Sequence, residues 1–400
     1  MARLARVEVF AADEIAIVHV MNRTVRRCFL LGDDPFSGKN FDHRKLWLDE
    51  QLIHQARHFG IDLLCQSILS NHFHLVLRSR ADVVAEWDDS EVARRWLMLC
   101  PERRNSLGKP EEPSEFELNH IRKDKARLKI IRSRLSDISW WLRLLSQNIA
   151  QRANKEDGEV GKFWQARYRA VRLLDETAIL ACAAYVDLNP IRAALAETIE
   201  DSDFTSAQKR CCDMQAQHSV SGARSSVDAD ITSHGVVVQA SNGGVGPLGD
   251  ESREESGVGD TGDTGDRVDA TLPVERGGRH LAPVELQGGL SQTGPCVHES
   301  GARCSDKGFL AMSTADYLSL LDWTARQTRS DKRGSTPQQF APVFDRLGIS
   351  AETWCRLVKD FGKLFSVVAG QPQRIDEHRS KSNSRRYRTR HETRELLAPL

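Results

Sequence analysis

His72 and His74 stand two residues apart in the stretch SNHFHLVLRS (70–79), with Phe73 between them. Successive side chains of an extended strand point to opposite faces. Both imidazoles therefore project from one face, with Val76 beyond them, while Phe73, Leu75 and Leu77 turn to the other and bury. The two rings then lie about 7 Å apart along the strand. That is close enough to hold one divalent ion, with a third oxygen or nitrogen donor from another element completing an open site. On this spacing alone, two half-exposed histidines with ordinary hydrogen bonds are the simpler reading. The surrounding sequence has to decide.

Ile15 to Met21 is short and β-branched, which predicts a strand. HRKLWLDEQLIHQARHF (43–59) spaces Leu48, Leu52, Ile53, Ala56 and Phe59 as one face of a helix that Gly60 ends. The runs 61–69 and 72–78, joined at Ser70-Asn71, read as a hairpin. A charged helical insertion follows at about 81–136, and a further helix runs from Ile138 to about Ala153. Between about 211 and 306 the chain becomes rich in Gly, Ser and Asp without periodicity, which predicts a disordered linker. Two amphipathic helices then make a small helical region at 307–370, and 371–400 reads as a basic disordered tail. The dense part is 1–210.

The chain has 400 residues, 56 basic and 56 acidic, so any nucleic-acid surface must come from local segregation of charge. Its nine cysteines are scattered without a C-x-x-C pair and read as reduced thiols. Cys296, His298 and Cys304 lie in the glycine-rich tract, short of the four ligands a structural zinc normally takes. The N-terminus lacks the apolar run of a signal peptide, and no stretch reaches the length of a membrane span. The expectation is a cytoplasmic protein with no membrane partner.

Three blocks share an order. IVHVMNRTVRR (17–27), then GIDLLCQSILSNHFHLVLRS (60–79), then GKFWQARYRAVRLLDETAILACAAYVDLNPIRAAL (161–195) resemble the IS200-like tyrosine transposases. The match is to the REP-associated branch of these HUH-type enzymes, over roughly residues 5–205. The resemblance implies an α+β fold: a ferredoxin-like antiparallel sheet flanked by helices. It also implies that His72 and His74 hold Mg²⁺ or Mn²⁺ and that a tyrosine attacks a phosphodiester of single-stranded or hairpin DNA, leaving a 5′-phosphotyrosine. Asn71, Arg23, Arg26, Arg27 and Arg167 are the expected DNA contacts.

The chain departs from this pattern where the nucleophile should stand. The helix ISWWLRLLSQNIAQRAN (138–154) has no tyrosine, and Ile149 occupies the family position on an apolar stripe. The third metal ligand implied by the resemblance would fall near Ala153; Gln147, Asn148, Gln151 and Asn154 are nearby amides, none at the expected spacing, and Gln151 is taken as the candidate. Of the four tyrosines, Tyr168 and Tyr185 lie in the family-like blocks and are the surrogate nucleophiles. The run Arg122, Lys123, Lys125, Arg127, Lys129, Arg132 and Arg134 either neutralises phosphates or forms a solvated face.

The preferred expectation is metal-assisted DNA nicking and strand transfer in transposition. The first rival is a catalytically inactive DNA-binding or regulatory descendant. The second has the C-terminal helices recruiting a protein partner. The resemblance leaves monomer and homodimer both open.

Overall fold

The computed structural model describes residues 10, 13–35, 37–231, 277–286, 297–298, 300–327, 337–382 and 387–398. Two units are distinguished: Met1–Cys212 together with Gly278–Leu400, and Asp213–Gly277. Of the second, the continuation of helix α9 to Ile231 and Gly277 are described. The remainder of the expected linker that falls on 232–276 and 287–296 lies outside the described residues.

In chain order the first unit runs β1 (Ile17–Arg23), α1 (His43–His58), β2 (Ile61–Ile68), β3 (His72–Ser79), α2 (Ala81–Glu86), α3 (Asp89–Leu99), α4 (Glu115–Arg122), α5 (Lys125–Leu135) and α6 (Ile138–Asp157). It continues with β4 (Arg169–Leu173), α7 (Glu176–Asp187), α8 (Asn189–Arg192) and α9 (Ser206–Ile231), which passes into the second unit. The C-terminal part adds α10 (Thr314–Gln327), α11 (Ala341–Leu347), α12 (Ala351–Leu364), β5 (Val368–Ala369), α13 (Pro372–Ser382) and α14 (His391–Leu396).

The fold is α+β, as expected. One mixed sheet has the order β2-β3-β1-β4-β5. Its first four strands are antiparallel neighbours, and with α1 and the α2–α6 segment as crossovers they form the ferredoxin-like βαββαβ pattern. β5 pairs in parallel with β4.

Alternation along the strands gives the sheet two unlike faces. Val18, Val20, Phe73, Leu75 and Leu77 point inward and bury against Leu48, Leu52 and Ala56 of α1 and Trp141, Leu142, Leu145 and Ile149 of α6. Asp137 caps α6 by accepting from the Ser139 amide at 2.6 Å, and Gly158 ends the helix in the left-handed region at φ 65°. The buried Arg44 of α1 binds Glu156 at 2.7 Å and also Asp157, which fixes the two helices to each other. The opposite face carries His19, Met21 and Arg23 of β1, His72, His74 and Val76 of β3, and Arg169 and Val171 of β4.

The predicted hairpin forms as β2 and β3. Its Ser70-Asn71 turn is pinned by the amides of Leu31 and Thr24, which donate to Ser70 and Asn71 at 2.9 and 3.0 Å. Gly32 allows this approach, since a Cβ there would lie 2.5 Å from Ser70 Oγ.

Two segments differ from the compositional expectation. Residues 278–286 and 305–310 lie against the sheet: Ala282 N donates to Leu63 O at 2.9 Å, and Arg78 Nη1 donates to Gly308 O at 2.8 Å. Buried Asp62 and Arg80 also meet Ser305 there. Short apolar runs such as Leu281-Ala282 gain an edge to pair with, which average composition conceals. In 371–400, α13 and α14 form where a tail was expected, and Tyr387 is 1 % exposed against His378. Here one buried aromatic ring outweighs the surrounding charge.

Candidate functional site

The site stands on the outer face of β1 and β3. Their register sets His19 opposite Val76, Met21 opposite His74 and Arg23 opposite His72. His19 and His74 are diagonal neighbours with stacked rings, centroids 5.1 Å apart, and a 2.9 Å contact between His19 Nε2 and His74 Nδ1. Only one proton fits between those nitrogens, so one ring donates and the other accepts. Burial, with Arg169 second, pushes His19 down to about 3. Burial pushes His74 well below the usual range, assisted by His19, His72, Arg23 and Arg192. Burial and then Arg23 lower His72 to about 4. All three imidazoles are neutral at pH 7.

His72 Nδ1 lies 2.6 Å from Asn71 Oδ1, and Asn71 Nδ2 donates to the Arg27 carbonyl at 3.2 Å. The second bond fixes which end of the amide is the acceptor. His72 Nδ1 is therefore the donor, leaving the lone pair of Nε2 outward. The expected DNA contact Asn71 thus has its amide committed within the protein.

Tyr185 comes to this face from α7. Asp175 starts that helix by accepting from the Ala178 amide at 2.9 Å. The Tyr185 ring stands edge-on to both imidazoles, with centroids 5.5 Å from His74 and 5.9 Å from His19. Arg192, from α8, lies over the Tyr185 ring at 4.7 Å. α12 closes the far side: the Phe361 ring is 5.7 Å from Tyr185 and 6.2 Å from His19. Gly362 lets α12 approach, since a Cβ there would be 3.1 Å from the Tyr185 hydroxyl oxygen. Between these groups and Arg169 lies a cavity of about 40 Å³, room for a water or an ion.

The other expected residues go elsewhere. Ile149 is buried in the inner core, across the sheet from the histidines. Tyr168 packs in the same core and donates to Ser139 Oγ at 3.1 Å. Gln151 is exposed on α6, whose Ser146 receives Asn22 from the inner face of β1. The structure therefore does not bring Tyr168 or Gln151 to the imidazoles. Arg26 and Arg27 occupy a tight turn with φ 51° and 62°, both exposed, and Arg167 is exposed just before β4.

Charge separates the two arginine-rich regions. In the insertion, Arg94, Arg95, Arg103, Arg122, Lys125 and Arg132 all pair with carboxylates. On the histidine face Arg23, Arg27, Arg169 and Arg192 have no carboxylate partner among the described residues. His19, Arg169 and Arg192 were not singled out from the sequence. The available signal was His19 itself, a lone polar residue at an alternating position of the apolar strand IVHVM.

A divalent ion fits this donor set only in part. Neutral His72 offers a lone pair, but His74 Nδ1 is engaged by His19, and the described residues contain no cluster of three His, Cys, Asp or Glu able to hold a metal. Two imidazoles do not make a closed site.

No protein-family model matches the sequence, and no curated protein matches it. Among solved structures, one of a REP-associated tyrosine transposase bound to a REP hairpin aligns at 12 % identity. That alignment covers 53 % of this chain and 86 % of the other, with a TM-score of 0.31. Among the described residues no helix is long and apolar enough to cross a membrane.

Proposed function

We propose that the chain binds single-stranded or hairpin DNA on the histidine face, as a transposase-like protein, and that Tyr185 is its attacking hydroxyl. The observation that carries this reading is the Tyr185 ring held against both His74 and His19, at 5.5 and 5.9 Å. The family position, Ile149, faces the opposite core. In the proposed step a bond forms between the Tyr185 oxygen and phosphorus, and the bond to the 3′ oxygen breaks. The phenolic proton leaves to water and the 3′ oxygen takes one up, so the strand is conserved as a 5′-phosphotyrosine. Imidazoles held this far below neutrality are poor bases, so His19 and His74 serve to position the ring rather than to carry its proton.

A second reading has an observation of its own. Phe361 and the Gly362 backbone cover the Tyr185 ring, which favours a protein that grips DNA without cutting it. Labelled hairpin and single-stranded oligonucleotides, incubated with Mg²⁺ or Mn²⁺, separate the two. Nicking with a covalent adduct that Tyr185→Phe abolishes supports the first. Retarded but uncut DNA supports the second. Absence of retardation at low salt overturns both.

A further inference from the structure

We infer that Arg23 and Arg192 form a two-armed phosphate clamp that seats one backbone phosphate beside Tyr185. The inference rests on the proposed DNA reading and names the group that this face receives.

Arg23 Nε and Arg192 Nη1 are buried nitrogens without a hydrogen-bond partner. A buried guanidinium N–H left unmade is costly, and a phosphate oxygen is the acceptor that suits its planar fork. Both side chains border the histidine face. Arg23 stands opposite His72 in the strand register, and Arg192 lies over the Tyr185 ring at 4.7 Å, a ring whose centroid is 5.5 Å from that of His74. Arg192 is held there by donating through Nη2 to the Lys359 carbonyl at 2.6 Å, which leaves Nη1 for a ligand. Neither arginine pairs with a carboxylate among the described residues, although the chain carries as many acidic as basic residues. With Arg169 on the same face and Arg27 just beyond β1, the local field is positive, so the charge that would complete the group is an anion. A phosphodiester brings one negative charge and two free oxygens, one for each arm.

Inorganic phosphate is the first probe, followed by ³¹P line broadening, and a labelled single-stranded oligothymidylate is the second, followed by anisotropy across a salt series. The full chain should broaden the phosphate signal. Arg23→Gln and Arg192→Gln should each weaken that effect and the double substitution should abolish it, while Arg103→Gln, in the paired insertion, leaves it intact. Each loss should also lower the salt slope of oligonucleotide binding by about 0.7. Arg192→Lys keeps the charge without the fork and should bind phosphate more weakly than the parent. It decides the matter together with Arg23→Gln if Arg192→Gln fails to fold by circular dichroism. A folded double variant that still binds phosphate at parental strength overturns the clamp. Tyr185→Phe should retain phosphate binding whether or not it loses nicking. Nicking that survives Tyr185→Phe therefore removes the proposed attack and leaves the clamp standing, and nicking without phosphate binding does the reverse.

Discussion

His19 and His74 meet across adjacent strands with 2.9 Å between Nε2 of one and Nδ1 of the other, so the pair shares one proton and protonation of the accepting nitrogen breaks the contact. His19 titrates at about 3 in the fold, against an ordinary value near 6.5. A histidine depressed on folding contributes full stability above its unfolded value and loses it as pH falls toward the folded one. The loss therefore begins near pH 6.5 and deepens toward pH 3, with His19 alone accounting for about 3 kcal/mol at pH 4. Urea unfolding at pH 7 and pH 4 should show this difference, and His19→Gln should flatten it. An unchanged pH dependence in that variant would mean that the pair does not set acid sensitivity.

Gly362 offers a gentler way to disturb the phenol than truncating Tyr185. An alanine in the interior of α12 gains about 1 kcal/mol of helix propensity. Its Cβ would sit 3.1 Å from the Tyr185 hydroxyl and push it by a few tenths of an ångström. Gly362→Ala should thus leave the melting temperature equal or raised while lowering the nicking rate. Equal nicking by the variant would place the phenol outside the reaction.

Much of this arrangement was written locally, and the rest was not. The inward and outward sets of β3 follow from alternation alone, so the placement of His72 and His74 on one face was legible. Tyr185 was not, because ILACAAYV is apolar on nearly every side and periodicity gives it no preferred face. The stripe Trp354, Leu357, Val358 and Phe361 shows that α12 must bury against something. That the something is α7 and the histidine face depends on chain closure across more than 150 residues, which no local pattern encodes. Asp62 and Arg78 look like surface residues in sequence, yet they form a buried ion pair at 2.6 Å, because the segment around Gly308 covers them.

Tyr317 of α10 donates to buried Asp187 at 2.7 Å, and Ser206 donates to the other oxygen of that carboxylate. These bonds tie the C-terminal helices to α7 within one unit. Tyr317→Phe removes a hydrogen bond to a buried carboxylate and should destabilise the protein by about 1.5–3 kcal/mol. Because the same cluster supports α7, limited proteolysis of the variant should expose sites in α7 as well as in α10. Cleavage confined to 314–327 would instead favour C-terminal helices that act apart, as a partner-recruiting module would.

Two imidazoles can hold a divalent ion only weakly, and a bound phosphodiester would supply the oxygens they lack. Binding of Mn²⁺ and of DNA should then be coupled, each tightening the other by the same factor. Titration of Mn²⁺ followed by its electron paramagnetic resonance signal should show weak uptake by the chain alone and tighter uptake with oligothymidylate present. His72→Ala should remove that increment, since the Nε2 lone pair of His72 is left outward by the Asn71 bond to Nδ1. His19→Gln should preserve or enlarge it, because it releases His74 Nδ1 from its 2.9 Å contact. An increment that survives His72→Ala would mean that the ion is held by the DNA and not by the histidine face.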